Sequence, residues 1–396
     1  YGDSGMRPST RNVLGALAAA CLLAAGCGRL KTSDLGEGQP APNGPPIARD
    51  AAAPDAALRD AGAVSPDSAP DSAADQAGGA AVGAGGAGGD GGTSGGGASG
   101  SGGGSGLGRA KFVGNIDTSR AIRPDFATYW NQFTPENAGK WGSVQRAGQD
   151  SFNWTSLDAM YQYCADNNIL FKQHNFVWGS QQPSWTSGLD ADTAPAAVQT
   201  WMTSFCQRYP AVRIIDVVNE PPPHTTPAYA DAIGGGTNTT WDWIVNAFKW
   251  ARQACPNAIL VLNDYSNAED ASTAQHNIDI VTAIKAAGAP IDAVGCQLHD
   301  ALFSSSITLK ANIDMIAKAT GLPVYITEYD IDTADDAEQE RVMRDEITMF
   351  WNNQNIQGIT LWGYVVGHTW RSNTGLIQDD GTMRPAMTWL MTFLGR

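Results

Sequence analysis

The chain holds 396 residues, of which 40 are Asp or Glu and 25 are Lys or Arg, for a formal net charge of −15. So acidic a surface repels phosphate backbones and anionic lipid, which excludes nucleic acid as a ligand and favours a neutral substrate. The six cysteines lack close C-x-x-C spacing, which argues against a metal site and for structural thiols or bridges.

Residues 6 to 27, MRPSTRNVLGALAAACLLAAGC, set Arg7 and Arg11 ahead of a short apolar run that begins at Val13 and ends in small residues. That is the pattern of a secretory signal, and the run is too short to span a membrane. The five residues before Met6 fit no part of a signal and read as an upstream extension. The ending LLAAGC resembles a bacterial lipobox, in which the cysteine, here Cys27, is lipidated and becomes the mature N-terminus. Ala24 stands where that motif most often has Leu, which leaves plain secretion open. The expected location is outside the cytoplasm of a bacterium, secreted or held as an outer-membrane or cell-surface lipoprotein. Residues 28 to 107 are mostly Ala, Gly, Ser, Pro and Asp, with almost no large apolar side chains to offset the entropy of ordering. Residues 31 to 106 carry nine acids and three bases, −6 of the charge, and a Gly-rich coil of that length reaches about 50 Å. A flexible tether is expected there.

From residue 108 to 396, β-rich runs alternate with helical patterns, which predicts βα units around a parallel sheet. The runs are AKFVGNID (110 to 117), WNQFTPEN (130 to 137), ILFKQHNFVW (169 to 178), RIIDVVNE (213 to 220), AILVLNDYS (258 to 266), DAVGCQLH (292 to 299), PVYITEYDI (323 to 331) and GITLWGYV (358 to 365). Amphipathic segments such as TSLDAMYQYCADNN, TWDWIVNAFKWARQAC and LKANIDMIAKATG separate them. Eight units at about 36 residues each match the repeat of a (β/α)8 TIM barrel, and one barrel accounts for the whole folded part.

In such barrels the working residues stand at the C-terminal ends of strands. Those ends carry Glu136 and Asn137, His174 and Trp178, Asn219 and Glu220, Asn263 and Asp264, Gln297 and His299, Glu328 and Asp330, and Trp362. Any one of them alone reads as a polar rim or a helix cap; seven on one face read as a site. Two carboxylates across a pocket, without a serine or cysteine nucleophile motif or metal spacing, point to glycoside hydrolysis. Glu220 and Glu328 are the expected pair, and a separation of about 5 to 5.5 Å implies retention of configuration. Asn219 is placed to hydrogen-bond the sugar 2-hydroxyl, and His299 with Asp330 to orient and tune Glu328. Trp178, Trp362 and Trp370 offer faces for sugar rings, and Glu136, Asn137, Lys140 and Gln181 offer hydrogen bonds. The prolines 221 to 223 either stiffen the loop after Glu220 or simply stop the strand.

The chain from about Lys111 to Arg396 resembles the family 10 glycoside hydrolases, mostly endo-β-1,4-xylanases. The motifs are TPENAGKW (134 to 141), HNFVWGSQQPSW (174 to 185), DVVNEP (216 to 221), LNDY (262 to 265), QLH (297 to 299), ITEYDI (326 to 331) and LWG (361 to 363) with Trp370. The resemblance implies that Glu220 is the acid/base and Glu328 the nucleophile. It places Glu136, Asn137, Lys140, His174, Trp178, Gln181, Asn219, Gln297, His299, Trp362 and Trp370 around the sugar sites nearest the scissile bond. Xylan and xylo-oligosaccharides are the implied partners, with no cofactor, no metal and a monomer as the working unit. Two departures stand out. Gly179 replaces the His that many members carry after the tryptophan, which either opens room for a substituent on the xylose or is a subgroup habit; Ile215 replaces a Trp and is expected to affect only packing.

Four cysteines fall in the folded part. Cys164 with Cys206, on successive helices, and Cys255 with Cys296 are the expected bridges. Competing readings of function are a β-1,4-glucanase of the same clan, and a surface xylan-binding protein that has lost catalysis. The second predicts that one of the two glutamates is missing, and neither is.

Overall fold

The computed structural model describes residues 111–396. The expected signal, Cys27 and the expected tether lie outside the described residues. No helix among the described residues is long and apolar enough to cross a membrane.

In chain order the elements are β1 (Phe112–Ile116), α1 (Phe126–Tyr129), β2 (Gln132–Thr134), α2 (Trp141–Val144), α3 (Thr155–Asp166), β3 (Leu170–Trp178), α4 (Ala194–Arg208), β4 (Ile214–Asn219), α5 (Asp242–Ala254), β5 (Ile259–Asp264), α6 (Ala271–Ala286), β6 (Ala293–Cys296), α7 (Ser306–Thr320), β7 (Val324–Tyr329), α8 (Asp336–Asn352), β8 (Ile356–Leu361) and α9 (Pro385–Leu394). The eight strands pair in parallel, each with its chain neighbour, and β8 returns to β1 through Phe112 beside Gly358 and Val113 beside Ile359. The expected barrel is therefore present and closed.

Strands covered on both faces read as continuous apolar runs, and every residue of β4 and β7 is buried. Helices cover the outside with apolar stripes at helical spacing: α5 buries Trp243, Ile244, Ala247, Phe248 and Ala251. Side-chain caps fix where several helices begin. Asp270 accepts from the Thr273 N–H, Ser305 from Thr308, and Asp335 from Ala337 and Glu338.

The barrel interior has two zones. At the N-terminal ends of the strands Ile214, Val261, Ala293 and Tyr325 form an apolar cluster of their own, joined by Phe112, Leu170 and Ile259. Further along, the interior turns polar with Gln132, Thr134, Lys172, His174, Asp216, Asn263, Thr327 and Thr360, all buried. Most of these groups satisfy one another, as buried polar groups generally do: Gln132 Nε2 donates to Thr134 Oγ1 (2.8 Å), Thr360 Oγ1 to Gln132 Oε1 (2.7 Å), and Thr327 Oγ1 to Asn263 Oδ1 (2.6 Å).

Three details differ from the sequence reading. The second strand is three residues long because Pro135 has no N–H to continue the ladder. The last barrel helix, α9, comes from PAMTWLMTFL and packs against α8. The third is a correction to the disulfides: neither Cys164–Cys206 nor Cys255–Cys296 forms. Cys206 bonds Cys255, with Cα atoms 5.5 Å apart, and Cys164 and Cys296 are free and buried. Cys206 lies in the last turn of α4 and Cys255 caps α5, so the two meet at the same end of neighbouring helices. Cys164 turns inward from α3, where burial pushes its thiol up to about 12.

Candidate active site

Glu220 follows the last residue of β4 with φ at 49°, a left-handed conformation that costs an L-residue about 1–2 kcal/mol. Its N–H donates to the Asn263 carbonyl (2.8 Å), and its own carbonyl accepts from the Thr225 N–H (3.1 Å) and hydroxyl (2.7 Å). The carboxyl accepts from the Trp178 indole N–H at 2.9 Å, from Gln297 Nε2 at 3.2 Å and from Asn219 Nδ2 at 3.3 Å. Burial raises its pKa above the ordinary carboxylate value, and the nearby Glu328 charge adds to the rise.

Glu328, on β7, is tuned the other way. Asn263 Nδ2 donates to its Oε1 at 2.6 Å, His299 Nε2 lies 3.3 Å from Oε2, and His174 Nδ1 stands 3.9 Å from Oε1. Burial pushes this carboxyl up, but electrostatic attraction toward His174, the His299 hydrogen bond and the charges of His299 and Lys172 outweigh it and hold the group down at about 2. His299 is itself gripped on both ring nitrogens, with Nδ1 2.9 Å from Asp330 Oδ2. Burial works to lower its pKa, yet the Asp330 and Glu328 carboxylates lift it to about 10. At neutral pH it is an imidazolium that donates to both, and the expected orienting role of His299 and Asp330 has its geometry.

Asn263, expected at a strand end but given no role there, and two residues beyond the expected set, Lys172 and Asp216, complete the network. Asn263 Nδ2 reaches Asn219 Oδ1 (2.7 Å) as well as Glu328, so one amide ties the two carboxylate-bearing strands together. It fits because Gly295 faces it: a Cβ there would lie 2.3 Å from Asn263 Oδ1. Lys172 Nζ sits 2.5 Å from Asp216 Oδ2, and His174 Nδ1 2.9 Å from the same oxygen, all inside the barrel. The sequence signal for this trio was a charge interrupting two adjacent apolar strands, with His174 and Asp216 in register.

The other expected residues gather around the pair. Lys140 Nζ donates to Asn137 Oδ1 (2.8 Å) and lies 5.0 Å from the centre of the Trp178 ring. Glu136 is raised to about 7, first by burial and then by the Asp117 carboxylate, which accepts the Glu136 N–H at 2.7 Å. Trp362 is buried, edge-on to His174 at 5.1 Å. Trp370 is 44 % exposed; its N–H donates to Asp330 Oδ2 (2.6 Å) and Arg371 lies over its ring at 4.4 Å. Gln181 stands on the loop after β3 with φ at 47°, its carbonyl accepting from the Gly142 N–H. Two of the expected sugar platforms thus also act as donors to carboxylates, Trp178 to Glu220 and Trp370 to Asp330.

Of the two departures, Ile215 is fully buried in the main core, a packing position as expected. Gly179 opens no pocket. A Cβ at that position would lie 2.6 Å from the Thr226 nitrogen and 2.7 Å from Thr225 Cβ, so the loop after Glu220 already fills the space. The expectation of room for a substituent is corrected accordingly.

A model of glycosyl hydrolase family 10 matches residues 100–392. The chain belongs to that family. Endo-1,4-beta-xylanase B of Cellvibrio japonicus is 47% identical to this family 10 chain over 282 residues, covering 71% of the chain and 45% of that protein. The chain thus matches less than half the length of that relative. Endo-1,4-beta-xylanase 2 of Claviceps purpurea is 29% identical over 283 residues, covering 68% of this chain and 82% of the relative. Among solved structures, a family 10 protein from Paenibacillus barcinonensis superposes with a TM-score of 0.65 at 24% identity, over 73% of this chain and 96% of that one.

Proposed function

We propose that this family 10 chain is an endo-β-1,4-xylanase that cleaves internal xylosidic bonds with retention of configuration. The observation that carries the reading is the opposed tuning of two carboxyls in one hydrogen-bonded network: burial and the Glu328 charge raise Glu220 above its ordinary value, whereas Glu328 is held down at about 2. Glu220 gives its proton to the leaving glycosidic oxygen while Glu328 attacks the anomeric carbon and forms a glycosyl-enzyme. Glu220, now ionised, takes a proton from water, which attacks the anomeric carbon and releases Glu328. Asn219, held by Asn263 and Gln297, is offered to the 2-hydroxyl at the transition state. Xylan as the substrate is supported by the two xylanase relatives, and the sugar-site roles of Glu136, Asn137, Lys140, His174, Trp178, Gln181, Trp362 and Trp370 belong to the same reading.

Digestion of xylan followed by proton NMR is expected to release the β-anomer first, with mutarotation to α afterwards. Initial α-anomer would refute retention, and faster release of reducing sugar from cellulose than from xylan would move the substrate to glucan. A pocket separates the two only by the hydroxymethyl group at C5, worth about 1–3 kcal/mol.

The barrel is proposed to work as a monomer outside the cytoplasm, on a tether anchored through a lipid at Cys27. Expressed in a bacterial host, the protein is expected to incorporate labelled palmitate, and Cys27→Ser to lose the label and pass into the soluble fraction. Equal labelling of both would remove Cys27 as the anchor.

A further inference from the structure

A left-handed residue other than glycine persists only where its surroundings fix it, and at Glu220 one of those surroundings is a single threonine. Thr225 supplies both groups that bind the Glu220 carbonyl, its N–H at 3.1 Å and its hydroxyl at 2.7 Å. The same hydroxyl oxygen accepts the Gly179 N–H at 3.2 Å. Gly179 directly follows Trp178, whose indole holds the Glu220 carboxyl at 2.9 Å. The end of β3 therefore grips Glu220 twice, by its side chain directly and by its backbone through Thr225. The second grip depends on the bare backbone at 179, where a Cβ would meet Thr225 and Thr226 below 3 Å.

We propose that Thr225 is a positioning residue for Glu220, its hydroxyl linking the Gly179 N–H to the Glu220 carbonyl and so fixing the direction in which the carboxyl leaves the strand. The proposal rests on the reading of Glu220 as acid/base. Proton transfer requires the acid within hydrogen-bond reach of the leaving oxygen, and a displacement of about 1 Å can cost a factor of about 100. In the first step, which kcat/KM reports, only substrates that need that proton feel the displacement.

The test uses the full chain with phenyl β-xylobioside, a poor leaving group, and 2,4-dinitrophenyl β-xylobioside, which departs without a proton. Thr225→Val keeps the shape and the N–H and removes the hydroxyl. It is expected to lose about 10- to 100-fold in kcat/KM on the phenyl substrate and less than about threefold on the dinitrophenyl one. Thr225→Ser, which keeps the hydroxyl, is expected to stay within about threefold of the parent on both. Equal losses of Thr225→Val on the two substrates, no loss on either, or a Thr225→Ser as impaired as Thr225→Val would overturn the proposal. Gly179→Ala gives a second route should Thr225→Val not fold: it pushes the loop away with the hydroxyl retained, and an unchanged ratio between the substrates counts against the link. Glu220→Ala is run alongside. A Glu220→Ala that does not discriminate between the leaving groups would discard the acid/base assignment itself, a result distinct from a failure at Thr225.

Discussion

Glu328→Ala is expected to lose at least about 10⁴-fold in kcat on xylan, the scale on which removing a covalent nucleophile acts. Added azide is then expected to restore turnover of an activated xylobioside with the α-glycosyl azide as product. The small anion enters the space left by the carboxylate and attacks from the same face, so configuration inverts. Glu220→Ala gives the opposite product. There Glu328 still forms the glycosyl-enzyme, and azide approaches from the face the leaving group vacated, giving the β-azide. Proton NMR of the azide products distinguishes the two, and β-azide from Glu328→Ala would exchange the assigned roles. The same pair sets the pH limits. Activity needs Glu328 ionised and Glu220 protonated, so it falls on the acid side as Glu328 takes up a proton toward about 2. On the alkaline side it falls as Glu220, raised above its ordinary value, loses one.

Lys172→Met is expected to carry the largest cost in stability. Asp216 is wholly buried and shares one oxygen between Lys172 and His174. Removing one partner of a buried pair leaves an uncompensated charge in low dielectric and costs about 3–5 kcal/mol. For a domain of this size that lowers Tm by about 5–8 °C. Lys172 also contributes to the depression of Glu328, so the acid limb of the pH profile is expected to move to higher pH in the same variant. Calorimetry and a pH profile check the two effects together. An unchanged Tm with an unmoved acid limb would show that the pair contributes nothing.

The barrel was legible because a parallel strand buried on both faces has to be apolar along its length, and the eight runs could be counted. Glu220 and Glu328 were legible for the converse reason: a carboxylate at the end of such a run has no packing purpose. The disulfide was not legible. Cys164, Cys206 and Cys255 lie on three successive helices, and which two meet depends on the rotation of each helix about its axis, to which spacing alone is blind. Helix α9 is apolar along most of its length, Thr388 and Thr392 apart, and only the fold shows that Ala386, Met387, Leu390 and Met391 form its buried face. Gly179 showed that an imidazole was missing, but what fills its place comes from Thr225 and Thr226, 46 and 47 positions further along. Asn263 stood in the expected LNDY motif, yet its work as a bridge depends on Gly295 and Thr327 across the barrel interior.

The apolar cluster of Ile214, Val261, Ala293 and Tyr325, with Phe112 stacked on Tyr325 at 5.9 Å, closes the end of the barrel opposite the site. Its consequence is electrical. Water that entered from that side would screen Lys172 from behind, whereas an apolar floor leaves its pull on Glu328 less screened. A carboxylate kept so weakly basic stays ionised to low pH, and by the same token it departs readily once bonded to a sugar. The packing of a few aliphatic and aromatic side chains at the far end of the barrel thereby bears on the second half of the proposed reaction, the release of the sugar from the enzyme.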